Sequence, residues 1–136
     1  MASNVSGYGA TALGYEAMRF SNDTATSFAN TNTAIGFRSM KGSAVPASNT
    51  GLNNTATGYN SMLFLTSGNN NSGFGYGAAQ SNTTGSNNAA YGSFALFSNS
   101  TGNNNSAFGT NALLANTASN NAAFGNNALS ARSEEH

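Results

Sequence analysis

Very little in this chain can exchange a proton or hold a metal ion. Four Lys and Arg, four Asp and Glu and one His are spread over 136 residues; there is no cysteine and no tryptophan, and proline occurs once, as Pro46. From Gly42 to Ala131 there is no acid, base, histidine or cysteine at all. General acid–base catalysis needs groups that titrate near neutral pH, and metal centres need clustered imidazole, thiolate or carboxylate ligands. The composition therefore points away from an enzyme and implies no cofactor and no metal. With a formal net charge of zero, phosphate neutralisation cannot drive binding, so no nucleic-acid partner is expected. No apolar run approaches the roughly 18 residues of a membrane span, so no membrane insertion is expected. The start Met1-Ala2-Ser3-Asn4 lacks the charged and apolar regions of a secretion signal, and a soluble chain is expected. The lack of cysteine excludes a disulfide framework.

What fills the chain is small and amide-bearing: 24 Asn, 23 Ala, 19 Ser, 16 Gly and 14 Thr. Such a composition fits disorder as well as repeats, and periodicity separates the two. A motif Asn-(Thr/Ser/Ala)-(Ala/Gly)-apolar-Gly recurs with its last glycine at Gly14, Gly36, Gly58, Gly75, Gly92, Gly109 and Gly125, at spacings of 22, 22, 17, 17, 17 and 16. Aligned on these glycines, the preceding residue is Leu13, Ile35, Thr57, Phe74, Tyr91, Phe108 or Phe124. Two before the glycine stands Ala12, Ala34, Ala56, Gly73, Ala90, Ala107 or Ala123, a column that admits nothing larger than a methyl group. Four before it, Asn32, Asn54, Asn71, Asn88, Asn105 and Asn121 recur, with Ala10 the exception. Three after it the residue is Ala or Ser, and four after it comes Met18, Met40, Met62, Ala79, Leu96, Leu113 or Leu129.

A unit of 16 to 22 residues is too short for helix-pair repeats, which need about 33 to 47. The small–large alternation around the glycine has the period of two of a strand, and Gly and Asn suit the corners because they tolerate positive φ. The expected fold is therefore an all-β parallel solenoid, a β-roll of about seven coils, over residues 1–131. Longer looped coils would occupy 7–58, with regular coils over 59–130. The surplus of the long coils falls in Phe20 to Thr31 and Gly42 to Gly51. Residues 132–136 break the pattern as a tail. The expected core ladder combines Leu13, Ile35, Phe74, Tyr91, Phe108 and Phe124 with Met18, Met40, Met62, Leu96, Leu113 and Leu129. The glycines Gly14, Gly36, Gly58, Gly75, Gly92, Gly109 and Gly125 are the expected corners.

Segments such as Asn71-Ser72-Gly73-Phe74-Gly75 and Asn105-Ser106-Ala107-Phe108-Gly109-Thr110-Asn111-Ala112-Leu113 resemble the head repeats of trimeric autotransporter adhesins and the repeats of phage-type tail fibre proteins. The resemblance covers roughly Gly7 to Ser130. It implies a left-handed parallel β-roll, three chains joined into one rod, and a place outside the cell on a surface or virion appendage. The coils here are longer than those of adhesin heads, and no heptad stalk or membrane anchor is seen. A thin single-chain core independently favours association, because small domains with little to bury are marginal alone. Tyr15, Phe37, Tyr59 and Tyr76, just after the early glycines, are the residues such an interface would bury.

Three functions fit this reading. The first is a non-enzymatic structural or adhesive fibre module, a homotrimeric rod attached to a surface receptor, matrix or glycan. The second is an ice-binding solenoid, whose face would be Thr11, Thr33 and Thr55 with Thr84, Thr101 and Thr117. The third is a self-assembling filament subunit, since solenoid ends expose unpaired strand edges. Glu16, Arg19 and Asp23 are expected to form a solvated surface cluster, and His136, alone at the end of the chain, is assigned no role.

Overall fold

The computed structural model describes residues 7–21 and 28–130. Asp23, the tail 132–136 and His136 lie outside them. Nine short strands are described: β1 Gly7–Tyr8, β2 Thr11–Leu13, β3 Phe28–Ala29, β4 Thr33–Ile35, β5 Thr55–Thr57, β6 Ser72–Phe74, β7 Ala89–Tyr91, β8 Ser106–Phe108 and β9 Ala122–Phe124. β1 and β3 form a two-stranded parallel pair. The other seven form one parallel sheet in chain order, β2-β4-β5-β6-β7-β8-β9. Its register is the register of the glycine alignment: Ala12 pairs Ala34, Ala56 pairs Gly73 and Ala107 pairs Ala123. Each motif thus adds one level to a parallel β-solenoid of seven coils, numbered here 1 to 7 from Gly14 to Gly125.

Coil-to-coil bonding continues beyond the three-residue strands. Met40 N–H donates to Ser61 O at 2.9 Å, Met62 to Ala78, Ala79 to Ala95 and Leu96 to Ala112, each at 2.9 Å. Parallel stacking therefore satisfies the backbone through the turns as well, where a soluble loop would rely on water. The turn is tight. Residues two and four after each glycine adopt positive φ, including Met18, Met40, Met62, Leu96 and Leu113, which drives the fourth side chain inward.

The glycine column has a second cause besides turn geometry. A Cβ placed on any glycine from Gly14 to Gly109 would lie 2.4–2.6 Å from a backbone atom of the next glycine in the column. Levels approach too closely there for any side chain. The same holds seven residues earlier, where a Cβ on Gly51, Gly68 or Gly85 would meet the carbonyl oxygen of the next coil at 2.2–2.4 Å.

The interior is narrow. Its buried apolar cluster holds ten alanines, three methionines and three leucines, so little area is available to drive folding and hydrogen bonds must specify the stack. They do so through the Asn column. Asn54 Oδ1 accepts from Asn71 N at 2.9 Å and from Asn71 Nδ2 at 3.0 Å. Asn54 Nδ2 in turn donates to Asn32 Oδ1 at 3.0 Å and to Gly68 O at 2.9 Å. The pattern repeats along Asn71, Asn88, Asn105 and Asn121. A second buried amide row, Asn82 and Asn99, donates to Gly85 O and Gly102 O at 3.0 and 2.9 Å. Their Oδ1 atoms have no hydrogen-bond partner. They rest against the Cα of Gly85 and Gly102, where an added Cβ would be only 2.5 and 2.3 Å away, so weak C–H···O contact is what those positions offer.

One expectation is overturned. Leu13, Ile35, Tyr91, Phe108 and Phe124 are not core residues: they are exposed, from 36 % for Phe108 to 69 % for Phe124, and Phe74 is half-buried. On a three-residue strand only the middle side chain points inward, and that is the methyl column, Ala34, Ala56, Ala90 and Ala107, fully buried. Its neighbours on both sides must then face out. Met18, Met40, Met62, Leu96 and Leu113 are buried as expected, whereas Leu129 is half-exposed on the last described level.

Candidate functional site

Two features of the surface depart from what a solvated β-solenoid requires. The first is a wall of aromatic rings. Just after the column glycine, Tyr15, Phe37, Tyr59 and Tyr76 stack through coils 1 to 4, with centroids 5.0–5.2 Å apart and planes within 20°. Just before the glycine, Phe74, Tyr91, Phe108 and Phe124 stack through coils 4 to 7 at 4.8–5.1 Å and within 14°. The two ladders overlap in coil 4, which carries both Phe74 and Tyr76. Below the second ladder its column continues as Leu13, Ile35 and Thr57, so the row flanking the glycines runs apolar over most of the rod. The centroid spacing is that of stacked sheet levels, about 4.8 Å; the rings lie face to face along the axis and present their edges outward.

Such offset stacking stabilises the rod from outside, each pair contributing about 0.5–1.5 kcal/mol beyond its buried area. It leaves Tyr15, Tyr59, Tyr76 and Phe124 at 43–69 % exposure. Contiguous exposed apolar surface of this kind marks an interaction face in soluble proteins. No residue from Gly42 to Ala131 is charged, so over coils 3 to 7 a second apolar surface meets no desolvation penalty for an ion, whereas in coil 2 the Arg38 guanidinium lies 5.0 Å from the centre of the Phe37 ring.

The second feature is a knot of charge in coils 1 and 2. Because these coils are 22 residues apart, Glu16 stacks under Arg38 and Arg19 under Lys41. The Glu16 carboxylate, its side chain 7 % exposed, accepts from Arg19 Nη1, from Arg38 Nε at 2.8 Å and from Lys41 Nζ at 3.2 Å. Burial pushes its carboxyl up, but the hydrogen bonds from Lys41, Arg38 and Arg19 outweigh it and hold it below its ordinary 4.5. A carboxylate depressed in the folded state contributes stability that is present above 4.5 and lost as the pH falls through the lower folded value. The melting temperature of the wild type is therefore expected to exceed that of Glu16→Gln at neutral pH, and the two are expected to converge on acidification below 4.5. Parallel curves down to strong acid would show that the three cations do not act through Glu16. Of the solvated cluster Glu16, Arg19 and Asp23 expected from sequence, Glu16 is buried while Arg19 stays exposed at 49 %, Asp23 lies outside the described residues, and Arg38 and Lys41 join the carboxylate. The signal for this was the repeat spacing itself, which places residues 16 and 38 at one position of successive coils.

The Thr residues considered for an ice face do not share one strand row. Thr11, Thr33 and Thr55 lie on β2, β4 and β5, in a column that continues as Ser72, Ala89, Ser106 and Ala122. Thr84, Thr101 and Thr117 lie outside the strands, exposed in irregular segments, and the buried glycine and Asn columns come between the two rows.

Compared with known protein families, with characterised proteins and with solved structures, the chain has no match. Its function has to be read from its own geometry.

Proposed function

We propose that this chain is a non-enzymatic structural and adhesive fibre module, a rigid rod that associates in threes along its aromatic side and serves attachment at a surface outside the cell. The observation that carries the reading is the pair of outward aromatic ladders. A rod whose largest side chains are outside and whose interior holds mostly methyl groups gains by burying the former against another copy of itself. The resemblance of the repeats to adhesin heads and tail fibres supports three as the number of copies. Repetition then supplies avidity, since weak contacts along one rod add through effective concentration.

Light scattering on dilute protein tests this. A molar mass of about 41 kDa, three times the 13.7 kDa chain, is expected. The double substitution Tyr91→Ser with Phe108→Ser, both on the wall and neither in the core, should lower it to that of one chain with the β circular dichroism spectrum kept at low temperature, though the three lost stacking pairs lower the melting temperature. A wild type that stays at single-chain mass at micromolar concentration defeats the trimeric rod. A mass that grows without limit identifies a filament subunit instead.

A further inference from the structure

Beside the charge knot the longer coils open a cleft of about 400 Å³, lined by Arg38, Lys41, Ser43, Leu63 and the rings of Phe20 and Phe64. Its shape follows from one position of the repeat. Six residues after the column glycine stand Phe20 in coil 1, Gly42 in coil 2 and Phe64 in coil 3. The levels of the two rings are two coil rises apart, about 9.6 Å; the middle level has no side chain of its own, and the Asn49 amide takes the place that a Cβ on Gly42 would occupy, 2.8 Å from its Oδ1. The insert that follows Gly42 forms the rim. Asn49 fastens it: its Oδ1 accepts from Ser43 N at 2.9 Å, and its Nδ2 donates to Ser43 O at 2.9 Å and to Phe20 O in the coil below. Two of these bonds fasten the insert on itself and the third ties this rim of the cleft to the coil below.

Its electrostatics are unusual for this rod. Among the described residues, one carboxylate faces three cations, leaving two positive charges in excess. Arg38 spends only Nε on Glu16, and Lys41 one of its three ammonium protons. The Lys41 ammonium lies 5.4 Å from the centre of the Phe20 ring, and the Arg19 guanidinium 5.0 Å from it. Positive donors and apolar ring surface thus border one concavity whose volume falls in the range of small-ligand sites, about 300–1,000 Å³.

We propose that this cleft binds a carboxylated sugar ring, a unit of an acidic glycan. The carboxylate meets Arg38 and Lys41 in charge-assisted hydrogen bonds, the apolar C–H face of the ring packs on Phe20 or Phe64, and the Ser43 hydroxyl, whose oxygen accepts from Val45 N at 3.2 Å, donates its proton to a sugar hydroxyl. The proposal rests on the attachment reading for its purpose and names the ligand class that reading left open.

The test is a titration of isotope-labelled full chain at low salt, followed by amide shifts. The probes are trigalacturonate, its neutral methyl ester, benzoate and inorganic phosphate. Trigalacturonate should move the amides of Gly42, Ser43, Leu63 and Phe64, and the methyl ester should bind about tenfold more weakly or worse, having lost the charge-assisted bonds. Arg38→Gln should weaken trigalacturonate binding by about tenfold or more through the same loss. Phe64→Ala, at a ring that is 49 % exposed and so not needed for the core, should do so without disturbing the fold. Equal binding of the methyl ester, equal binding of benzoate or phosphate at the same amides, unaltered affinity in both variants, or no shifts at these four amides would each overturn the proposal. Molar mass measured on the same samples keeps the two readings apart. A trimer that ignores trigalacturonate sinks the cleft alone, and a monomer that binds it sinks the trimeric rod alone.

Discussion

Gly92→Ala is expected to cost about 2–6 kcal/mol, enough to melt the middle of the rod, from two sources that a control separates. The first is conformational: Gly92 has φ +138°, and a non-glycine residue held in such a region costs about 1–3 kcal/mol. The second is steric. The new methyl group would sit 2.6 Å from the carbonyl carbon and oxygen of Gly109. Both are backbone atoms bonded into the next level, so the coils must part, and overpacking of this sort adds about 1–3 kcal/mol. Gly125 occupies the same column with φ +120°, but nothing lies within 4 Å of its Cβ position. Gly125→Ala should therefore show the conformational part alone. Thermal unfolding followed by circular dichroism measures both, and equal losses would show that close approach of the levels does not constrain the column.

Asn88→Ala is expected to cost roughly 2–6 kcal/mol, because each of the two buried donors it abandons loses about 1–3 kcal/mol of compensation. Asn88 is 2 % exposed. Its Oδ1 accepts from Asn105 N and Nδ2 at 3.0 and 3.1 Å, and its Nδ2 donates to Gly102 O at 2.9 Å. Removing the amide strands a backbone donor and a side-chain donor of Asn105, in an interior too narrow to collapse onto them, while Gly102 O keeps its bond from Asn99 Nδ2 at 2.9 Å. The neighbouring Asn104 is the comparison. It is exposed and makes one amide bond to Asn120 at 3.1 Å. Asn104→Ala should cost only about 1–2 kcal/mol, chiefly for placing alanine at φ +57°. Denaturant midpoints for the two variants decide the matter, and a loss at Asn88 no greater than that at Asn104 would remove the Asn column as the element that specifies the stack.

In a solenoid each level touches only its neighbours, so stability is close to a sum of local interface terms. Both substitutions are therefore expected to act on the coils around Gly92, with the outer levels affected through loss of a neighbour. That locality also explains how coils 1 and 2 accommodate the long insert, the charge knot and the cleft without altering the register of β4 on β2 or β5 on β4.

The sequence alone determined the number of levels, their register and the parallel sense of the sheet, because identical spacing forces like residues onto like when every level repeats the same turns. It also marked the Met and Leu column as interior and the recurring Asn as structural. Which face of the strand turns inward was left to the tertiary structure. An alternation of period two is the same pattern whichever face is buried, and hydrophobicity favoured the aromatic column for the inside. Volume decided otherwise: with levels in contact and turns this tight, the strand's inward side has room for a methyl group and no more, so the rings were expelled to stack on one another outside. The Glu16 knot and the cleft beneath Gly42 were likewise settled by stacking, since residues 22 and 44 apart in the chain become neighbours only once the coils are wound.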